Sequence, residues 1–363
     1  MLNFELDQEQ KMLTDAIGRL ANERMRKVSR EADEEGHIPP EVVQAGWDLG
    51  LLPTGIPEAH GGLGEYSVIT NAIAVEELAF GDLAIATAVL SPNNVAIPVL
   101  LAGTEAQKEA HLPLFCEAVM PKVTAAMQEP GLQYDARNLK TTAVLEDDHY
   151  VLNGRKSLVP LADTAETFLI YANENGHTQA YFVPAGSVGL EIGEREKLMG
   201  LKALPTFPLV LSNVKVPAVN RLGGDQGIDI GLILNHSRVA LAAAAVGLAR
   251  AGYEYALEYA KQRVQFGEPI AQRQSIAFML AEMAIDIDGA RMMVWEAAWL
   301  LDQGREATRE TAVMKHFSDD MVVRVADHAL QILGGYGYIR EYPVELWLRN
   351  ARGFVQWDGL VIV

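Results

Sequence analysis

Asp358 stands between Trp357 and Gly359, just past a segment expected to be helical as far as Phe354. An acid between an indole and a glycine could be a base held in an apolar pocket, where desolvation acts on its charged form. The plain alternative is a surface turn. Further back, Arg263-x-x-Phe266-Gly267 is followed by Gln272, Gln274 and the run Met279-Leu280-Ala281-Glu282-Met283. Arginine suits bidentate contact with phosphate, and phenylalanine suits packing against an aromatic ring. Alone, such a turn is more often structural. A third group, Gly334, Gly335 and Gly337, follows the apolar run Ala329–Leu333, which contains Gln331. Glycine lets a ligand approach the backbone closely.

The elements that must position these residues fall into three stretches. Residues 1–112 read as helical. Asp7 is a helix cap with Gln10 three residues on, and Leu13, Ile17 and Leu20 follow at helical spacing. Pro39-Pro40 opens a second helix, Gly61-Gly62-Leu63-Gly64 is a loop, and Ser67–Phe80 is a helix ended by Gly81. Leu83–Leu90 and Asn94–Leu101 are two more. Glu76-Glu77 is read as a solvated face with one core-facing contact. Residues 113–222 carry short strands: Val123–Met127, Thr141–Leu145, Tyr150–Leu152, Phe168–Ala172, Gln179–Val183 and Leu209–Val216. Glu146-Asp147-Asp148-His149 is a hairpin signal, and the spacing fits a small antiparallel barrel or sandwich. Residues 223–363 return to long helices over Ile228–Gln262, Ile276–Ala297 and Glu306–Leu333. Pro343 suits the first turn of a final helix. The expected class is α+β: an N-terminal helical domain, a middle β domain and a C-terminal four-helix bundle.

The chain has 363 residues, 49% of them apolar, and 30 basic residues against 48 acidic, for a net charge of −18. That balance argues against nucleic acid or an anionic membrane as the main partner. An anionic ligand then needs locally placed cations or helix N-termini. A single cysteine, Cys116, gives no disulfide framework and no cysteine metal site, and fits a reducing cytoplasm. The histidines are scattered without metal-ligand spacing, so no metal is expected. No signal peptide is visible after Met1. The longest uncharged apolar run, between Arg238 and Arg250, is shorter than the ~20 residues a membrane span needs. A Ser-His-Asp arrangement and a Gly-x-Gly-x-x-Gly after a strand are both missing.

These motifs together resemble the acyl-CoA dehydrogenase family over nearly the whole length. The carriers are Pro57-Glu58 with Gly61, Gly62 and Gly64, then Glu76-Glu77, then Gln331-x-x-Gly334-Gly335-x-Gly337 leading to Glu341-Tyr342-Pro343. The resemblance implies FAD as cofactor and an acyl-CoA thioester as substrate. It implies that Arg263 meets the pyrophosphate of FAD across a subunit interface, with Phe266 and Gln274 lining the ADP part and Gln331 and Gly335 against the same end. Met127 and Gln128 would face the flavin, Arg238 would help position the active site, and Tyr134 would stand where a serine touches the CoA chain. Asp358 would be the catalytic base.

Departures from the pattern are concentrated at the flavin ring. The family's Thr-Glu-Pro-Gly-Ala-Gly-Ser-Asp reads Gln128-Glu129-Pro130-Gly131-Leu132-Gln133-Tyr134-Asp135. Its ring-stacking tryptophan is Leu158, and its threonine for flavin N5 is Pro160, which offers neither hydroxyl nor N–H. The base, a glutamate in the family, is one methylene shorter. Some relatives place the base before an arginine on the central helix, where this chain has Ser237-Arg238. The last residues, Leu360-Val361-Ile362-Val363, are either an apolar end that packs on something or an artificial truncation. Two functions follow: an acyl-CoA dehydrogenase using Asp358, or a non-catalytic subunit of a hetero-oligomer that completes a sister chain's FAD site. Either way the protein is expected to form dimers or tetramers, homo- or hetero-, with the electron acceptor open.

Overall fold

In the computed structural model, residues 5–359 are described; the Leu360–Val363 end lies outside them. The first helix, α1 (Gln8–Leu20), starts on the expected capping box: Asp7 accepts from the Gln10 N–H at 2.8 Å, and the Gln10 side chain accepts from Asp7 N–H at 3.1 Å. A π turn over Ala21–Met25 carries it into α2 (Arg26–Glu35), which stops at Gly36 in the left-handed region. Then come α3 (Pro40–Trp47), α4 (Leu51–Thr54), α5 (Val68–Gly81), α6 (Leu83–Val89), α7 (Asn93–Ala102) and α8 (Glu105–His111). Helix α5 begins on the Ser67 hydroxyl, and Asp82 caps α6 by accepting from Ile85 N–H at 2.9 Å.

The middle of the chain is a curled sheet of β1 (Val123–Ala126), β2 (Thr142–Glu146), β3 (His149–Pro160), β4 (Thr167–Glu174), β5 (His177–Pro184), β6 (Leu190–Ile192) and β7 (Thr206–Pro217). The β2–β3 hairpin turns at Asp147-Asp148, with Glu146 opposite His149. The sheet is mixed rather than wholly antiparallel. Strand β4 pairs in parallel with β1, and through Thr142–Asn173 with β2, while its other partner β5 is antiparallel. Hairpin spacing reveals neighbours in sequence, whereas β1 and β4 meet only through the tertiary fold.

The last third opens with α9 (Ile230–Gln262). A small hairpin, β8 (Val264–Gln265) and β9 (Glu268–Pro269), then leads to α10 (Gln274–Asp302), α11 (Thr308–Leu333), α12 (Gly335–Tyr338) and α13 (Val344–Phe354). Pro343 precedes α13 as its cap residue instead of sitting inside its first turn. Helix α9 has the length and hydropathy of a membrane span, yet 89% of its most apolar window is buried inside the protein. Its run Ala242–Ala245 is buried, and small side chains let α5 and α11 approach it closely. Gly247 marks the closest approach: a Cβ there would lie 2.1 Å from the Glu76 carbonyl oxygen. One apolar core therefore spans α1, α5 and α6 at one end of the chain and α9, α10, α11 and α13 at the other.

Glu76-Glu77 is not a solvated face. Glu76 is 7% exposed and accepts from Arg250 at 2.9 Å and from Arg291 at 2.9 Å, and Glu77 takes Arg250 at 2.6 Å. Guanidinium groups from α9 and α10 supply the opposite charge that lets the acid be buried.

Candidate functional site

The site forms at the seam between the sheet and the helical bundle. Helix α13 ends at Phe354, and the chain passes through Trp357, 3% exposed, to Asp358 and Gly359. Two long-range clasps fix the approach. Arg349 of α13 donates to Asp33 of α2 at 3.0 and 2.8 Å, and Arg30 of α2 pairs with Glu345 of α13. Asp33 is 2% exposed, so this clasp is shielded from solvent. Asn350 accepts from Leu201 N–H at 2.7 Å, which ties α13 to the loop before β7.

Beyond α13 the sheet takes over. Gln128 Nε2 donates to the Gln356 carbonyl at 3.0 Å, and Tyr134 donates through its hydroxyl to the Asp358 carbonyl at 3.2 Å. Gly359 has φ +93°, and a Cβ there would fall 2.3 Å from Met127 Sδ. The Asp358 carboxylate meets Arg238 of α9, with Oδ2 3.2 Å from Nη2 and Oδ1 3.3 Å from Nε. Met127, Gln128, Tyr134, Arg238 and Asp358 are thus brought together. Burial, with a contribution from the Asp358 charge, pushes the Tyr134 phenol well above its usual range, so it stays a neutral donor.

A buried pair supports the Met127–Glu129 stretch from below. Lys156, 0% exposed, donates to Met127 O at 3.0 Å and to Glu129 at 2.9 Å. Glu129 also accepts from the N–H groups of Lys140 and Thr141. Desolvation lowers the Lys156 ammonium to about 8. Leu158, at φ +54° beside a bulge in β3, donates its N–H to Glu196 at 3.0 Å. With Asn94, Ala125, Ser157, Pro160, Met127, Gln128 and the Trp357–Gly359 segment, Leu158 walls a cavity of about 20 Å³. That is room for about one water molecule.

The second group lies away from this seam. Arg263, Gly335, Gly334, Tyr259, Tyr336 and Ile270 line an open groove of about 430 Å³. The Arg263 guanidinium lies 5.3 Å from the Tyr336 ring centroid, and no ion pair to it is found among the described residues. Phe266, Gln274 and Gln331 do not wall this groove. Phe266 sits at the tip of the β8–β9 hairpin, 92% exposed, and Gln274 and Gln331 are exposed on α10 and α11. Tyr259, Tyr336 and Asn94 are site residues that sequence reasoning missed. An aromatic at the glycine cluster is a usable signal for Tyr336; Asn94 gives no local one.

Three family models match in chain order: the N-terminal domain of acyl-CoA dehydrogenase over residues 7–118, the middle domain over 124–214 and the C-terminal domain over 228–360. A probable acyl-CoA dehydrogenase of Bacillus subtilis is 37% identical over 362 residues, covering 97% of this chain and 94% of that protein. The chain belongs to the acyl-CoA dehydrogenase family. A subunit of the caffeyl-CoA reductase–Etf complex of Acetobacterium woodii is 35% identical over 91% of this chain and 88% of its own length. The solved structure of butyryl-CoA dehydrogenase from Megasphaera elsdenii superposes with a TM-score of 0.90 at 33% identity, covering 99% of this chain and 96% of that one.

FAD is the cofactor of acyl-CoA dehydrogenases, and the two ends of its site differ in this chain. The groove offers what a dinucleotide tail requires: an unpaired guanidinium, exposed glycine backbone and an aromatic face. The ring end does not fit a flavin as it stands, because Trp357–Gly359 closes on Met127 and leaves about 20 Å³. A tricyclic ring needs that segment withdrawn.

Proposed function

We propose that the chain carries out FAD-dependent α,β-dehydrogenation of a short acyl-CoA thioester, with Asp358 as base. The observation that carries this reading is Asp358, its carboxylate paired with Arg238, lining the cavity between β1, β3 and the end of α13. FAD, held by its tail in the Arg263–Gly335 groove and with Trp357–Gly359 withdrawn from Met127, would supply the acceptor for the β-hydride. The chain's own part is to take the α-proton on Asp358 and to exclude water with Trp357 and Leu158. Arg238 holds the carboxylate until the substrate arrives, and the pair must loosen for an oxygen to reach the α-carbon. Tyr134 steadies the Asp358 backbone. Arg263 and Gly335, with Phe266, Gln274 and Gln331 nearby, serve the tail of FAD. The exposed hairpin bearing Phe266 supports a site shared between subunits of an oligomer. The short acyl group rests on the butyryl-CoA relative, and a cytoplasmic setting rests on the lone Cys116. The test is to purify the chain alone, measure FAD per chain, and add butyryl-CoA without oxygen. Bleaching of one tightly bound flavin per chain is expected; no flavin and no bleaching would sink the reading.

The closed ring end beside an open tail groove favours a second reading, a non-catalytic partner subunit that completes a sister chain's FAD site. A protein colourless alone, yellow only with a co-purified sister chain, is its expected outcome.

A further inference from the structure

Arg263 is fixed by its backbone and uncommitted at its tip. It is the first residue past α9. Its N–H donates to Tyr259 O at 2.8 Å, and its carbonyl accepts from Ile270 N–H at 2.9 Å across the base of the β8–β9 hairpin. The chain has 48 acidic residues, and carboxylates hold the guanidinium groups of Arg238, Arg250, Arg291 and Arg349. The Arg263 guanidinium instead lies over the Tyr336 ring, 5.3 Å from its centroid, and no ion pair to it is found among the described residues. A carboxylate would occupy the N–H fork of an arginine. An aromatic face attracts the cation through its quadrupole and leaves the fork for an incoming oxygen. The ring itself is braced: Tyr336 abuts Tyr342 at 5.2 Å and Tyr259 at 6.4 Å between centroids. Tyr259, Arg263 and Tyr336 all wall the same open groove.

We propose that Tyr336 is a positioning residue for Arg263: its braced ring holds the guanidinium in the groove with the N–H fork free for the diphosphate of a dinucleotide tail. This rests on the reading that the groove takes the tail of FAD. An arginine side chain has many rotamers, and each one lost on binding weakens the complex. A ring that already holds the cation in the groove removes part of that loss before the ligand arrives. It also keeps Arg263 from the chain's own acids. Tyr336 thus acts through Arg263 and needs no contact with the ligand. What it contributes is the face of its ring, and the hydroxyl is dispensable.

The experiment is equilibrium dialysis of the full chain, freed of flavin, against FAD and against ADP, which carries the diphosphate without the flavin. Tyr336→Leu is expected to weaken both ligands by about 3- to 10-fold, the range of a cation–π contact. Tyr336→Phe, which keeps the ring, is expected to restore the affinity. In an Arg263→Ala background, Tyr336→Leu is expected to change nothing further, because a residue that acts through Arg263 has nothing left to act on. A merely structural role would weaken binding in both backgrounds. Should Tyr336→Leu lose its melting transition, Tyr336→Met takes its place. Unchanged affinity in Tyr336→Leu, a loss seen with FAD but not ADP, no recovery in Tyr336→Phe, or the same loss without Arg263 would overturn the assignment. If Arg263→Ala itself leaves FAD binding unchanged, or the chain binds neither ligand, the tail-groove reading fails and takes this one with it.

Discussion

Asp358 is pinned to Arg238 by two hydrogen bonds, at 3.2 and 3.3 Å, from a guanidinium in the first third of the long buried helix α9. The pair fixes where the carboxylate waits and also limits its reach. A glutamate at this position would extend about 1.5 Å further, one C–C bond. Since a misplacement of about 1 Å can cost about 100-fold in rate, Asp358→Glu is expected to raise dye-coupled turnover about 10-fold or more, and Asp358→Asn to abolish it. An unchanged rate in Asp358→Glu would mean that another group takes the proton.

Arg263 is the cation of the tail groove. Arg263→Ala is expected to weaken FAD binding by about 10- to 100-fold, the loss of a charge-assisted contact. The melting temperature of flavin-free protein should move little, because the guanidinium's contact within the described residues is an open-groove one with the Tyr336 ring, 5.3 Å from its centroid. Equilibrium dialysis against FAD checks the first part and a thermal melt the second.

Two buried titrating groups pull stability in opposite directions. His236 is 3% exposed beside Tyr66, with Nδ1 3.1 Å from the phenol oxygen, and burial lowers it to about 4. Between pH 4 and 6.5 the unfolded chain binds this proton and the folded one does not, so stability falls on acidification through that window. Asp82 is raised by burial to about 6, so there the folded chain holds the extra proton and stability rises as pH falls from 6 toward 3.8. Urea melts between pH 4 and 7 are expected to lose part of their acid sensitivity in His236→Gln and to gain acid sensitivity in Asp82→Asn. Identical pH slopes in all three proteins would refute both assignments.

The Lys156–Glu129 pair lies under Met127, and Lys156 has no exposed surface. Lys156→Met leaves Glu129 with only its backbone donors and is expected to cost about 3–5 kcal/mol, read by chemical denaturation. A cost below about 1 kcal/mol would mean that Lys140 and Thr141 suffice to hold the carboxylate.

What could be read from the residues was what local chemistry decides. The Asp7–Gln10 box, the Ser67 start of α5 and the Asp147-Asp148 turn each depend on a few adjacent residues, and each formed in its place. Glu76 could not be placed that way, because its burial depends on Arg250 and Arg291, far along the chain. The parallel β1–β4 pairing is invisible for the same reason. At the site, Met127, Gln128, Tyr134, Arg238 and Asp358 came together, and their motifs had signalled them. Asn94 looked like an ordinary helix start, and its place against the cavity beside Asp358 is set by the tertiary fold alone.

The core shared by the two ends of the chain has a consequence for how the protein is made. Helix α5 buries its face against α9, yet the ribosome completes Val68–Gly81 long before Ile230–Gln262, with the entire sheet in between. Helices α1 and α6 cover part of α5 at once, but its α9-facing side must wait for a partner not yet translated. That interval is when such surfaces stick to one another, so output of this protein in a cell should depend on chaperone supply more than its finished fold would indicate.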